Sequence, residues 1–415
     1  MKTFSLCVVL FVLVFIPAGA TAPTAKPEDV GLASERLQQI TQMIQRRIAA
    51  GDLAGAVTIV ARKGKVAHLS AQGVMDLQTR QPMTPASMFR IASMTKPVVG
   101  VAIMMLVEEG KLRLTDPVSR CIPEFRDMKV GVAQPGGGRG GGAAAEPRFY
   151  TVPAQREITI KDLLTHTSGL GSGPMGNSDI ARVARKEGET LATYIPRLGG
   201  TALEFQPGTR WTYSPGAGFE TLGRIIEVAS GTPLDRFFRT RIFDPLGMKD
   251  ITFWPTDAQM PRVATVYARG ANGLTRSETP NDTLSRNVYF RGSGGLYSTA
   301  EDYIPLGIML ANGGEMGGKR LLSRKSVEMM RAAHVLDTLP GRPAGEGYGL
   351  SVRVVTNHAA RNTLLSDGTY GWSGAQGTHF FVDPAEQLVG VLMVQTSNQE
   401  IIRDFEDLVA QSIAD

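Results

Sequence analysis

Met88-Phe89-Arg90-Ile91-Ala92-Ser93-Met94-Thr95-Lys96-Pro97 reads as a strand turning into a helix, with a serine three residues ahead of a lysine. Residues at i and i+3 share a helix face, so spacing alone brings the hydroxyl and the amine together. A serine hydroxyl is a weak nucleophile at its own pKa and needs a base within hydrogen-bond reach. Lysine can be that base only if burial or a cationic neighbour brings its pKa down from about 10.4. A serine in a first helical turn also sits in the positive end of the helix field, which favours developing negative charge. Pro97 fits there, because first-turn amides have no intrahelical acceptor to lose. Ser93 to Lys96 is the only S-x-x-K in the chain. It opens the most apolar helix, expected from about Ser93 to Glu109 with a stop at Gly110. Val98 to Val107 is apolar nearly all round, which places this helix in the protein centre.

Upstream, Ser34 is expected to cap a helix with apolar residues at Leu37, Ile40, Met43, Ile44 and Ile48, closed by Gly51. A linker, Pro27 to Ala33, precedes it. Strands follow at Ala56 to Ala61 and Val66 to Leu69, joined at Lys63-Gly64. Downstream, helices are expected at Thr159 to Thr165 and Phe219 to Ala229. Another follows a capping box of Ser298 and Glu301 and ends at Gly313-Gly314. Strands return near Tyr348 to Val355, His379 to Val382 and Leu388 to Val394, and an amphipathic helix from about Gln399 to Ile413 closes the chain. Strands early and late, joined as hairpins, imply an antiparallel sheet that the terminal helices cover. The fold class is therefore α+β: a sheet part at about 23–90 and 345–415 and a mostly helical part at about 91–344, with a cleft between them suited to a site. Gln134 to Pro147, rich in glycine, cannot bury enough surface to offset ordering and is expected to be a flexible insertion.

Residues 1–22 have the layout of a secretory signal: Lys2, an apolar run from Leu6 to Ile16, Pro17, then small residues to Ala22. Export to the periplasm or the medium is therefore expected, with 23–415 as the working domain. No second long apolar stretch follows, so no stable membrane insertion is expected after cleavage. Cys121 is the only cysteine beyond that segment, which rules out an internal disulfide there. The formal charge is +5, with the basic residues scattered, so there is no nucleic-acid footprint. None of the five histidines falls in a metal-ligand pair, and neither metal nor cofactor is expected.

The S-x-x-K segment, followed by Leu114-Thr115-Asp116-Pro117-Val118 and by Ile158 to Leu170 (Ile-Thr-Ile-Lys-Asp-Leu-Leu-Thr-His-Thr-Ser-Gly-Leu), resembles the serine β-lactamase-like, penicillin-recognising hydrolases over nearly the whole of 23–415. S-x-x-K is a signature of that family. The resemblance implies that Ser93 is the nucleophile and that Lys96 and Tyr213 manage its proton. It also implies that the backbone N–H groups of Ser93 and Ala375 form an oxyanion hole. The family's second motif is a tyrosine followed two residues later by asparagine. Here Tyr213-Ser214-Pro215 keeps the tyrosine and replaces the amide by a proline, which offers no side-chain donor. The third motif, Lys-Thr-Gly, is replaced by Trp372-Ser373-Gly374, implying substrate contacts through an indole where the family has an ammonium. Such W-x-G replacements are similar to those of family VIII carboxylesterases.

The reading is thus a serine hydrolase that cleaves esters through a Ser93 acyl-enzyme and acts on a small-molecule ester or amide. A β-lactamase or D-amino-acid peptidase of the same fold is the runner-up, and an acyltransferase differs only in what attacks the acyl-enzyme. A receptor that acylates with a β-lactam and does not turn over is the alternative of another class. The oligomeric state is open. Gly371-Trp372-Ser373-Gly374-Ala375 imitates a nucleophile elbow, but that motif needs a helix after it and a strand is expected here. Gly313 to Lys319 nearly spells a phosphate loop but has Arg320 where Ser or Thr must stand. Gly171 to Gly176 matches G-x-G-x-x-G only as a string. His166 is read as structural, and Asn281-Asp282-Thr283 is a glycosylation triplet by pattern alone.

Overall fold

The computed structural model describes residues 22–134, 149–277 and 286–415. The signal segment up to residue 21, nearly all of the glycine-rich insertion and the Asn281 triplet lie outside the described residues. Seven strands form one antiparallel sheet: β1 (Gly55–Arg62), β2 (Lys65–Gly73), β3 (Glu346–Tyr348), β4 (Arg353–Val355), β5 (Tyr370–Ser373), β6 (His379–Asp383) and β7 (Leu388–Met393). Their spatial order is β3-β4-β5-β6-β7-β1-β2, so the first strand of the chain pairs with the last, Val57 opposite Met393 and Arg62 opposite Leu388. Because side chains alternate across a strand, the sheet splits its apolar residues between two cores. Ala56, Val60, Phe381, Leu388 and Leu392 face the terminal helices α1 (Ser34–Ala49) and α5 (Gln399–Gln411). Val57, Ile59, Phe380, Val389, Val391 and Met393 face the larger core. The α+β class read from the sequence is the class observed.

The S-x-x-K helix, α2 (Thr95–Glu108), is buried from Thr95 through Leu106, as its all-round apolarity requires. It packs on α3 (Ala217–Ser230). A further helix, α4 (Ala300–Ala311), lies against β1, β6 and β7 on the face opposite α1 and α5. Gly307 permits that approach, since a Cβ there would come within 2.4 Å of the Val389 side chain. The part of the chain expected to be mostly helical also holds small sheets, including one of Lys129–Ala133, Phe149–Pro153 and Ala202–Leu203.

Several local expectations shift. The N-cap of α1 is Ala33, not Ser34, and the Ser34 N–H instead donates to Glu28. The linker before it contains a 3-10 turn, Pro27–Val30, pinned by buried Val30. The α4 cap is Thr299, whose hydroxyl accepts the Asp302 N–H; the true cap pair sits one residue after Ser298 and Glu301. The single strand expected at Tyr348 to Val355 is two, β3 and β4, because the chain turns at Ser351, with φ +71° and Gly349 N–H donating to Val352 O. Ser93 lies not in α2 but on a 3-10 turn, Ala92–Met94, just before it.

Candidate active site

The turn that carries Ser93 is held from several sides. Ala92 adopts φ +43°, a conformation costly for a residue with a Cβ and the kind of local strain found where a side chain must be aimed. Ile91 N–H donates to Leu296 O, Met94 O accepts from the Tyr303 hydroxyl, and Thr95 Oγ1 accepts from Leu296 N–H. The end of β5 presses on the same turn. Gly374 can do so only without a side chain, since a Cβ would lie 2.2 Å from Thr378 Oγ1 and 2.5 Å from Ile91 O. This contact is the physical reason for glycine in Trp-Ser-Gly. It sets Ala375 beside Ser93, and neither backbone N–H donates to an acceptor among the described residues.

Ser93 and Lys96 meet Tyr213, which is distant from both in sequence. Ser93 Oγ lies 2.6 Å from the Tyr213 hydroxyl and 3.1 Å from Lys96 Nζ. Lys96 Nζ also donates to Ser293 O at 2.6 Å and Pro215 O at 3.0 Å. Pro215 thus contributes its backbone carbonyl where its side chain offers nothing. All three acceptors of the lysine are neutral, and the side chain is fully buried. Desolvation is therefore the main influence on it; Glu220 opposes and Arg291 adds, and the pKa comes down to about 7. The Tyr213 phenol moves the other way, pushed up by burial against the opposing Ser93 hydrogen bond. The Trp372 indole stands 5.6 Å from the Tyr213 ring and, like Ser93, opposes that rise.

His166, read from sequence as structural, is what sets Tyr213. Its carbonyl accepts the Thr212 N–H and its Nδ1 accepts the Ser214 N–H, each at 3.1 Å, so it grips the chain on both sides of the tyrosine. The histidine leaves a short helix (Ile160–Leu164) capped reciprocally by Thr159 and Asp162, which rigidifies the support. Burial, then the charges of Lys96 and Arg342, hold the imidazole well below its ordinary pKa, hence neutral.

Two cavities open on either side of Ser93, and only Ser93 and Ala375 line both. One, of about 340 Å³, is aromatic, with Phe253, Trp254, Tyr289 and Tyr297 in its wall. The other, of about 860 Å³, contains Tyr213, Trp372, Ser373 and Gly374, and its far wall is charged. Within that wall Arg353 and Arg361 both bind Glu406 and Glu346, and Arg342 binds Glu346. Glu406 Oε1 also lies 3.0 Å from His379 Nε2, at an angle short of a well-aligned hydrogen bond. His379 Nδ1 and Ser373 Oγ are 2.9 Å apart. Nothing in the sequence marked His379, Glu406, Glu220 or Ser293: they come from four separate elements and obey no short spacing. After β5 the chain turns back into β6, so the Gly371 to Ala375 string is not a strand-to-helix elbow. No group of acidic, histidine or cysteine side chains suited to a metal ion occurs among the described residues.

A serine held between a phenol and a buried, near-neutral amine, next to two free backbone N–H groups, can be deprotonated and can stabilise an oxyanion. Comparison with known proteins places the chain. The Beta-lactamase family model matches residues 40–411. Protein Rv1367c of Mycobacterium tuberculosis is 36% identical over 359 residues, spanning 83% of this chain and 86% of that one. Esterase EstB of Burkholderia gladioli is 30% identical over 405 residues, spanning 92% and 95%. Among solved structures, EstCE1, a hydrolase with promiscuous acyltransferase activity, superposes with TM-score 0.73 at 26% identity, covering 92% of this chain and 98% of its own. The chain is a serine hydrolase of the Beta-lactamase family.

Proposed function

We propose that the protein hydrolyses carboxylic esters through an acyl-enzyme on Ser93. The observation that carries this reading is the position of Trp372: an indole lines the cleft beside Ser93 and Tyr213 at the place where the family's lysine would meet a substrate carboxylate. The nearby arginines do not replace that lysine, since Arg342, Arg353 and Arg361 are each occupied by Glu346 or Glu406. Similarity to Esterase EstB supports the same choice.

In this scheme the ester carbonyl oxygen faces the N–H groups of Ser93 and Ala375. Ser93 Oγ attacks the carbonyl carbon while its proton passes to Lys96, directly or by way of Tyr213. The tetrahedral intermediate collapses, the C–O bond to the alcohol breaks, and the proton goes to the departing oxygen. Water, deprotonated by the same pair, then cleaves the acyl-enzyme. Tyr213 and Lys96 titrate as a unit, and the lowered pKa of Lys96 supports the amine as the acceptor at neutral pH. Residues 1–22 support export to the periplasm or the medium as part of this reading.

A β-lactamase or D-amino-acid peptidase is the second reading, and Arg403 supports it. This residue is exposed, lines the larger cavity and pairs with no carboxylate among the described residues. Turnover of p-nitrophenyl butyrate and of nitrocefin, measured side by side, separates the two. The ester reading expects the first to be the far better substrate; preference for nitrocefin would overturn it.

A further inference from the structure

A buried carboxylate stands behind Lys96 without a hydrogen bond to Ser93 or to Lys96 itself. Glu220, on α3, is 8% exposed. Ser293 spans it and the lysine: its carbonyl accepts from Lys96 Nζ at 2.6 Å, and its hydroxyl donates to Glu220 Oε1 at 2.8 Å. The Tyr289 hydroxyl donates to the other carboxylate oxygen, and Arg291 Nε lies 3.7 Å from Oε1. Helix α3 follows directly from the Tyr213 loop, so Glu220 and Tyr213 are carried on one continuous support.

We infer that Glu220 is a positioning residue of the site: through Ser293 it fixes the carbonyl that orients Lys96 Nζ, and it sets a carboxylate one residue behind that amine. The physical argument is one of balance. A fully buried lysine with only neutral acceptors is driven toward the permanently neutral form, in which it could not return a proton to a leaving group. A carboxylate one residue removed opposes this without neutralising the amine outright, as a direct ion pair would. The other groups facing the amine leave that role to Glu220. Tyr213 and Phe219 present rings, with centroids 5.0 and 5.4 Å from Nζ. His166 is buried and neutral, and Arg291, the one other charge acting on Lys96 among the described residues, works in the opposite sense. Tyr289 stays protonated, held up by burial and by Glu220 itself.

The inference rests on Lys96 being the proton acceptor, but its test does not need the substrate to be known. The titration of Lys96 is followed by NMR in the free protein labelled at lysine Cε, the resonance being assigned by its loss in Lys96→Met. Glu220→Gln removes the charge while keeping shape, and should move the titration down by roughly one pH unit or more. Arg291→Gln, at an exposed side chain, should move it up. Where an ester is turned over, the acid limb of kcat/KM should follow in the same directions. A Lys96 titration that stays in place in Arg291→Gln, or in a folded Glu220→Gln, overturns the inference. Failure of the ester assay alone removes the substrate reading and leaves this one standing.

Discussion

Lys96 and the Glu406 cluster both bury charge beside one cleft, and they do so in opposite ways. Around Lys96 the acceptors are a hydroxyl and two backbone carbonyls, so nothing offsets desolvation directly and the amine comes close to neutrality. Around Glu406, burial would push the carboxyl up, but Arg353, His379 and Arg361 outweigh it and hold the group well below the carboxylate range. The first arrangement costs stability and leaves a group able to exchange a proton. The second keeps its charges fixed and builds a wall. The proposed proton transfer therefore suits the poorly paired cation, while the well-paired cluster lines the cavity.

The sharpest way to break this division is at the nucleophile. Ser93→Ala should lower ester turnover by on the order of 10³-fold or more while the thermal midpoint stays near that of the parent. Activity within tenfold of the parent would sink the acyl-enzyme scheme. Lys96→Arg tests titratability apart from charge. A guanidinium does not deprotonate, so a loss of about 10²–10⁴ in kcat is expected, and an active variant would show that the buried amine is not the base. Glu406→Gln should register instead in urea unfolding, by about 3–5 kcal/mol, because Arg353 loses its shorter carboxylate contact and both guanidinium groups are left to share Glu346. A stability change under about 1 kcal/mol would mean that the cluster is not held by pairing.

The pH dependence is a gentler probe. In the proposed scheme the neutral amine is the active form, so kcat/KM should rise with pH through about 7, the pKa to which burial brings Lys96. Below that it should fall about tenfold per unit. A flat profile between pH 5 and pH 8 would remove Lys96 as the acceptor. The smallest effect is expected from Trp372→Lys, which restores an ammonium at the cleft. The nitrocefin to p-nitrophenyl butyrate ratio should rise by roughly tenfold, and an unchanged ratio would mean that the indole does not set the preference.

Much of this was legible in advance wherever local chemistry is self-sufficient. S-x-x-K places two groups by helical spacing, an all-round apolar helix must be central, and early and late strands joined by tight turns must pair antiparallel. Trp372 and Pro215 could be read as departures because they fall inside short motifs. Caps and hairpin turns slipped by a residue or merged, as at Thr299 and Ser351, because neighbouring polar residues compete for one backbone position and only packing chooses between them.

What the chain's order alone determined, then, is the class of the fold, the candidate nucleophile and the kind of base a serine there would need. The base's strength and neighbours were decided by the tertiary structure. His166 holds Ser214, next to Tyr213, from 48 residues away in the chain, and Ser293 reaches Lys96 across 197. A pKa depends on which dipoles and charges surround a group in space, and residues that meet only through folding leave no spacing for a sequence to show.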